Sequence, residues 1–236
     1  SALGKMTNRL RDCDVLVHAR EQYETMLPAE LREGLKLFFR SVKDVQRRET
    51  RTLVDYLKSD KYHKVINRWQ QYIDKKLHSA NKKSGDATIL QLSGKVIIKR
   101  YNKITDKISE ITSETPDEFI HALRIDCKKL RYSLEFFASL YPDDSAESIY
   151  RLKSIQTLLG TFNDLSVQIS ELNRKINRLP AGKKSSTTMA ASLGGLIAVL
   201  AGNKDELRQN CIDALIKFAD ESNNTFFNKV FNPKKN

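Results

Sequence analysis

Thr115-Pro116-Asp117-Glu118-Phe119-Ile120-His121-Ala122-Leu123-Arg124-Ile125-Asp126-Cys127-Lys128-Lys129-Leu130-Arg131-Tyr132 reads as a helix from its first residue. Thr115 stands where an N-cap is wanted, Pro116 suits the first helical position, and Glu118 completes a capping box. On a helix, residues three, four and seven apart share a face, so His121, Arg124, Lys128, Arg131 and Tyr132 project together. Phe119, Leu123, Leu130, Leu134 and Phe137 take the opposite side. One helix thus carries an apolar stripe for a core and a row of cations for an anion.

The same pattern spreads outward. The chain of 236 residues carries a formal charge of +12, with 30% charged residues and 40% hydrophobic ones. That hydrophobic content supports a folded core, and the excess charge repels itself unless a polyanion is bound. Cys13, Cys127 and Cys211 are far apart and form no paired motif, which predicts reduced thiols and a cytoplasmic protein. The start of the sequence carries no signal-peptide pattern. The most apolar run, 189–201, falls short of the roughly 20 residues that cross a bilayer. It reads as a buried helix packed closely at Gly194 and Gly195, and no membrane partner is expected.

Helical periodicity continues through nearly every segment, whereas alternating β-branched runs with hairpin turns are absent. The expectation is an all-α antiparallel bundle, with helices at 8–27, 29–58, 60–80, 89–112, 116–141, 144–160, 163–179, 186–202 and 204–231. Arg11-Asp12-Cys13-Asp14-Val15, running on to Leu27-Pro28, echoes Asn163-Asp164-Leu165-Ser166-Val167, running on to Leu179-Pro180 at the same spacing. The echo suggests two related halves, about 1–82 and 88–236, with Asp12 and Asp164 as N-terminal helix caps.

A second basic stripe occupies 29–58, where Arg32, Lys36, Arg40, Lys43, Arg47, Arg51 and Lys58 share one face. Leu31, Leu35, Phe38, Val42, Val45, Leu53 and Tyr56 form its apolar face. Like charges at i,i+4 repel by a few tenths of a kcal/mol per pair, about 0.2–0.5, so such a row with few acids is a local cost that a polyanion removes. Lys95, Lys99 and Lys103 recur every four residues with Arg100 on their flank, and Lys61, Lys64, Arg68 and Lys75 make a further row. Mixed Arg forks and Lys point charges suit a repetitive phosphate chain. The aromatic residues fall mostly at core positions, which argues against the stacking platforms of single-stranded nucleic-acid binders. Zinc motifs, phosphate-cradling Gly loops and nucleophile elbows are lacking, Asp126 lies off the basic face, and no catalysis or cofactor is expected.

His121-Ala-Leu-Arg124, Lys128-Lys129-Leu130-Arg131-Tyr132 and the later Leu159-Gly160 with Asn163-Asp164-Leu165 together resemble the conserved histidine α-helical domain, CHAD. That family's pattern is H-x-x-R, then K/R-K/R-L-R-Y/F on the same helix, then L-G-x-x-R/N-D. Leu3-Gly4 and 11–15 look like the matching element of a first half, and Arg47, Arg51, Leu53, Leu57, Ser59 and Tyr62 like its long following helix, so the resemblance runs along nearly the whole chain. It implies two pseudosymmetric halves around a basic cavity that binds inorganic polyphosphate without catalysis, sometimes at polyphosphate granules. Carried over by position, His121, Arg124, Lys128 and Arg131 would face the phosphates, with Arg47, Arg51, Lys99 and Arg100 as further lining. Lys43, Arg40, Lys36 and Lys95 continue the same basic rows. The family's first half opens with its own His-x-x-Arg helix, which nothing before Leu3 supplies, so the resemblance implies a chain that begins partway into the domain. The alternative reading is a helical nucleic-acid-binding protein.

Overall fold

The computed structural model describes residues 2–78, 88–112, 114–142 and 144–232. Among these residues it is all-α: α1 (Ala2–His18), α2 (Arg20–Met26), α3 (Arg32–Leu57), α4 (Asp60–His78), α5 (Ile89–Ser109), α6 (Asp117–Phe136), α7 (Ser145–Ile176), α8 (Lys184–Phe218) and α9 (Glu221–Phe231). Single 3₁₀ turns occupy Ala29–Leu31 and Ala138–Leu140. The chain divides into two compact units, one of residues 1–83 with 172–199 and the other of 84–171 with 200–236. Both α7 and α8 therefore supply residues to each unit.

In the first unit α1 runs antiparallel to α3. Gln46 Nε2 donates to Asp14 Oδ1 at 2.6 Å, and Arg9 meets Glu49 at 3.9 Å. The i,i+3/i+4 spacing of Leu35, Phe38, Phe39 and Val42 puts all four on the buried side of α3. Tyr23 from α2 reaches the Phe39 ring, with centroids 6.3 Å apart. The first half of α8 lies so close to α3 that a Cβ on Gly34 would collide with the Thr188 carbonyl, and the Ser192 hydroxyl donates to the Leu31 carbonyl oxygen. Gly195 likewise abuts the Leu31 and Leu27 side chains, as the reading of 189–201 expects, whereas Gly194 faces open space. α4 keeps little of its apolar stripe covered: Val65, Ile66, Trp69, Tyr72 and Ile73 are all exposed.

In the second unit one core gathers Ile97, Tyr101, Ile104 and Ile108 of α5 with Ile120, Leu123, Cys127, Leu130 and Leu134 of α6. Leu152, Ile155, Leu159 and Phe162 of α7, Cys211, Leu215 and Phe218 of α8, and Phe227 and Phe231 of α9 complete it. Tyr101 stacks on Phe227 with centroids 4.0 Å apart. Thr88 and Gln91 form a reciprocal capping box at the start of α5, and Asp220 caps α9 by accepting from the Asn223 N–H at 2.7 Å. All three cysteines are buried and none is in a disulfide; desolvation raises the Cys127 thiol to about 12 and the Cys211 thiol to about 11.

Five sequence expectations change here. No break separates 160 from 163 or 202 from 204, because α7 and α8 run through both places. α1 begins at Ala2 rather than residue 8, and a turn at 219–220 divides α8 from α9. Asp12 and Asp164 sit inside α1 and α7, so neither occupies a helix N-terminus where a cap could form. Finally, the apolar run 189–201 is one part of α8, which is long and apolar enough to cross a membrane by length and composition. Within the units its Leu193, Leu196, Leu200, Cys211, Leu215 and Phe218 are buried.

Candidate functional site

α6 starts one residue later than the capping-box reading places it. Pro116, with φ −70° and ψ 155°, is the N-cap and offers no side-chain hydrogen bond. The Thr115 hydroxyl instead accepts from the Thr112 N–H at 2.8 Å, and the Thr115 carbonyl accepts from Arg208. The helix start is held through Asp117, which accepts from Lys204 Nζ at 2.9 Å, from Arg208 Nη1 at 2.8 Å and from the Ser166 hydroxyl at 3.4 Å. A carboxylate in the first turn also meets the positive end of the helix dipole.

From this anchor α6 and α7 run antiparallel. Asp117 meets Ser166, His121 meets Asn163, Arg124 lies beside Gly160, and the Cys127 carbonyl accepts from Gln156 at 3.1 Å. Each step of three or four residues up α6 is matched by three or four down α7, which is one turn per rung. The residues of the Leu159-Gly160 and Asn163-Asp164 element thus lie alongside the His121 row. His121 Nδ1 and Asn163 Oδ1 are 2.5 Å apart. An amide oxygen can only accept, so Nδ1 carries the hydrogen and Nε2 is the nitrogen left for a ligand. A Cβ at Gly160 would stand 4.0 Å from Arg124 Nε, so the guanidinium crosses α7 where the backbone is bare.

Charge along this face is unevenly neutralised. Arg131 reaches Glu135 at 3.5 Å and lies over the Tyr132 ring at 4.8 Å, while Lys128 Nζ stands 5.5 Å from the same ring. Glu135 is also 3.8 Å from Lys153. Arg131 is therefore paired with a carboxylate, while its Nε is buried without a hydrogen-bond partner among the described residues. Among the described residues, Arg124 and Lys128 have no carboxylate partner.

α5 presents its cations elsewhere. Lys99, Arg100 and Lys103 line a pocket of about 340 Å³ together with Val96, Asp126 and Lys129. Lys95 joins Lys99 and Lys103 along a neighbouring groove that also includes Asp106 and Phe231. Arg100 Nη1 donates to the Lys129 carbonyl at 2.5 Å. Asp126 is buried, and its two oxygens accept from Lys103 at 3.0 Å and Lys107 at 2.8 Å. Burial pushes its carboxyl upward, but the hydrogen bonds and charges of the two lysines outweigh that and hold it below the ordinary carboxylate range. The sequence reading puts Asp126 off the His121 row, where it indeed lies, and misses that it is the counter-charge for the α5 lysines. With about 100° between successive residues, Asp126 and Lys129 project some 140–160° round α6 from Arg124.

In the first unit Lys36, Arg40, Lys43, Arg47 and Arg51 of α3 are all exposed on one face. Arg47 pairs with Asp44 at 2.5 Å and Lys36 with Glu33 at 4.0 Å; Arg40, Lys43 and Arg51 have no carboxylate partner among the described residues. The aromatic residues are less confined to cores than the sequence reading holds, since Trp69, Tyr72, Phe136 and Tyr150 are each more than half exposed.

A family model described as the CHAD domain matches residues 1–173, the stretch that contains every cation of the α3, α5 and α6 rows. The match ends within α7. No curated protein matches the chain.

Proposed function

Because the chain belongs to the CHAD-domain family, we propose that it binds inorganic polyphosphate on the α6 face, by charge and hydrogen bonding and without chemical reaction. The observation that carries this reading is the row of His121, Arg124 and Lys128 beside α7, in which the two permanent cations lack a carboxylate partner among the described residues. Arg124 offers a fork for two phosphate oxygens, Lys128 a mobile charge, and His121 Nε2 a hydrogen-bonding atom that becomes a donor when the ring is protonated. The α3 row of Arg40, Lys43, Arg47 and Arg51, on the first unit, is a further run of cations that polyphosphate can contact. Two carboxylates of α6 are already committed to basic partners. Asp117 is held by Lys204 and Arg208, and Asp126 by Lys103 and Lys107, which leaves neither open to a catalytic metal.

Binding through many phosphate contacts displaces counterions. The expected result is that raising salt from about 0.05 to 0.2 M weakens long-chain polyphosphate binding roughly 100-fold, the slope for four or five contacting cations. A change of less than about threefold over that range would leave no room for a polyelectrolyte site. Exposed Trp69, Tyr72 and Tyr150 favour a second reading, single-stranded nucleic acid, since such rings can stack bases. Competition separates the two: polyphosphate should displace labelled RNA at equal phosphate concentration, and RNA should displace polyphosphate poorly.

A further inference from the structure

Lys128 and Lys129 are neighbours in sequence but point about 100° apart on α6, so the helix carries cations to two different flanks. On the flank away from Arg124, the pocket between α5 and α6 brings Lys99, Arg100, Lys103 and Lys129 around about 340 Å³, at the small end of ligand-sized cavities. Asp126 at its edge has both oxygens taken by Lys103 and Lys107, so it compensates those two lysines and little else. Lys99 and Lys129 have no carboxylate partner among the described residues. Arg100 spends one N–H on the Lys129 carbonyl, which fixes its guanidinium and leaves other N–H groups unused. With Lys103 paired to Asp126, Lys99, Arg100 and Lys129 remain, among the described residues, as cations without a carboxylate along one small space; they repel one another, and a compact multivalent anion removes that repulsion.

We propose that this pocket is a second anion site, separate from the His121 row, that takes a short condensed phosphate of two or three phosphoryl groups. Its volume excludes a long chain coiled within it, and the lining sets the chemistry. Among the described residues Val96 is the one apolar side chain that lines it and no aromatic ring does, so recognition is of phosphate alone. The pocket stands on α5 and the outer flank of α6, and it can therefore fail or hold independently of the α6–α7 face.

Calorimetric titration with inorganic triphosphate tests it, with circular dichroism to confirm that each variant is folded. Wild type should bind two equivalents per chain. Lys99→Ala with Arg100→Ala should leave one, Arg124→Ala with Lys128→Ala should leave the other, and Lys129→Ala alone should weaken the pocket by about fivefold, a loss near 1 kcal/mol. A single equivalent in wild type that survives Lys99→Ala with Arg100→Ala would overturn the proposal. So would two equivalents persisting in Lys99→Ala with Arg100→Ala, or the loss of both in Arg124→Ala with Lys128→Ala. Loss of one equivalent in the α5 variant, with none lost in the α6 variant, would sustain this pocket while removing the α6 face as the phosphate site. ATP should match triphosphate within about twofold at the pocket, and a tenfold preference for ATP would contradict recognition of phosphate alone.

Discussion

Replacing Arg124 and Lys128 together by alanine is expected to weaken long-chain polyphosphate binding by about 30- to 100-fold at moderate salt, a loss of roughly 2–3 kcal/mol. The figure follows from two charge-assisted contacts to phosphate, each near the lower end of the 1.5–3 kcal/mol range because both side chains keep some contact with water. The comparison that gives this number meaning removes the same formal charge elsewhere. Lys217 and Lys229 are exposed on α8 and α9, and Lys217→Ala with Lys229→Ala changes the long-range field equally while leaving the α6 row intact. That control should cost about twofold, since exposed charges that do not touch the ligand act on it only through a screened field. Similar losses from the two pairs would mean that polyphosphate is held by net charge spread over the surface. Filter binding or fluorescence anisotropy at matched ionic strength gives both numbers directly.

Gly34→Ala should be the most damaging single substitution in the first unit, costing about 3 kcal/mol and lowering the melting temperature by roughly 6–12 °C. The added methyl meets the Thr188 backbone carbonyl and the Ser192 hydroxyl, and a backbone carbonyl inside α8 cannot swing aside as a long side chain could. α3 and α8 would have to separate, and the bond from Ser192 to the Leu31 carbonyl would break with them. Gly194→Ala is the matched control. It lies in the same stretch of α8 but has nothing within 4 Å of where its methyl would stand, so it should gain up to about 1 kcal/mol from helix propensity. Thermal melts of the two variants should therefore move in opposite directions, and a common direction would refute the close α3–α8 approach.

The contrast between these glycines also shows what sequence could and could not disclose. Periodicity was enough to find the helices and their buried sides, because Leu35, Phe38 and Val42 or Leu123, Cys127, Leu130 and Leu134 repeat at helical spacing. Pro28, Ser59-Asp60 and Pro142 mark real ends for local reasons that a chain carries with it. Gly160 and the 202–203 pair look like similar breaks, yet α7 and α8 pass through them. At Gly160 the missing side chain accommodates the Arg124 guanidinium from another helix, which is a tertiary reason with no local mark. Gly34 is the same case in stronger form. The Asp220 cap was missed, since the sequence reading runs one helix through 204–231, although an Asp before a helical run is an ordinary N-cap pattern.

The site divides along the same line. That His121, Arg124 and Lys128 share a face follows from spacing alone, and their neighbours on α7 lie in the Leu159-Gly160 and Asn163-Asp164 element that the motif includes. Spacing could not show that Arg131, on the same row, is engaged by Glu135 and Tyr132. Nor could it place Lys99 and Arg100 on the far flank of α6 with Lys129, because that depends on which side of α6 the α5 helix packs. Asp126 is the clearest example. On a helical wheel it is an isolated acid away from the basic row, and only the packing of α5 brings Lys103 and Lys107 to it.

Polyphosphate binding on the α6 face requires that His121, Arg124 and Lys128 be the groups that meet phosphate. Nitrogen-15 NMR of the side chains, followed while long-chain polyphosphate is added below one equivalent, observes those groups individually. The His121 ring nitrogens and the Arg124 Nε–H should shift first and saturate together, with Lys217 and Lys229 unchanged. Shifts that spread over Lys217 and Lys229 at the same concentrations, with the His121 ring silent, would contradict it.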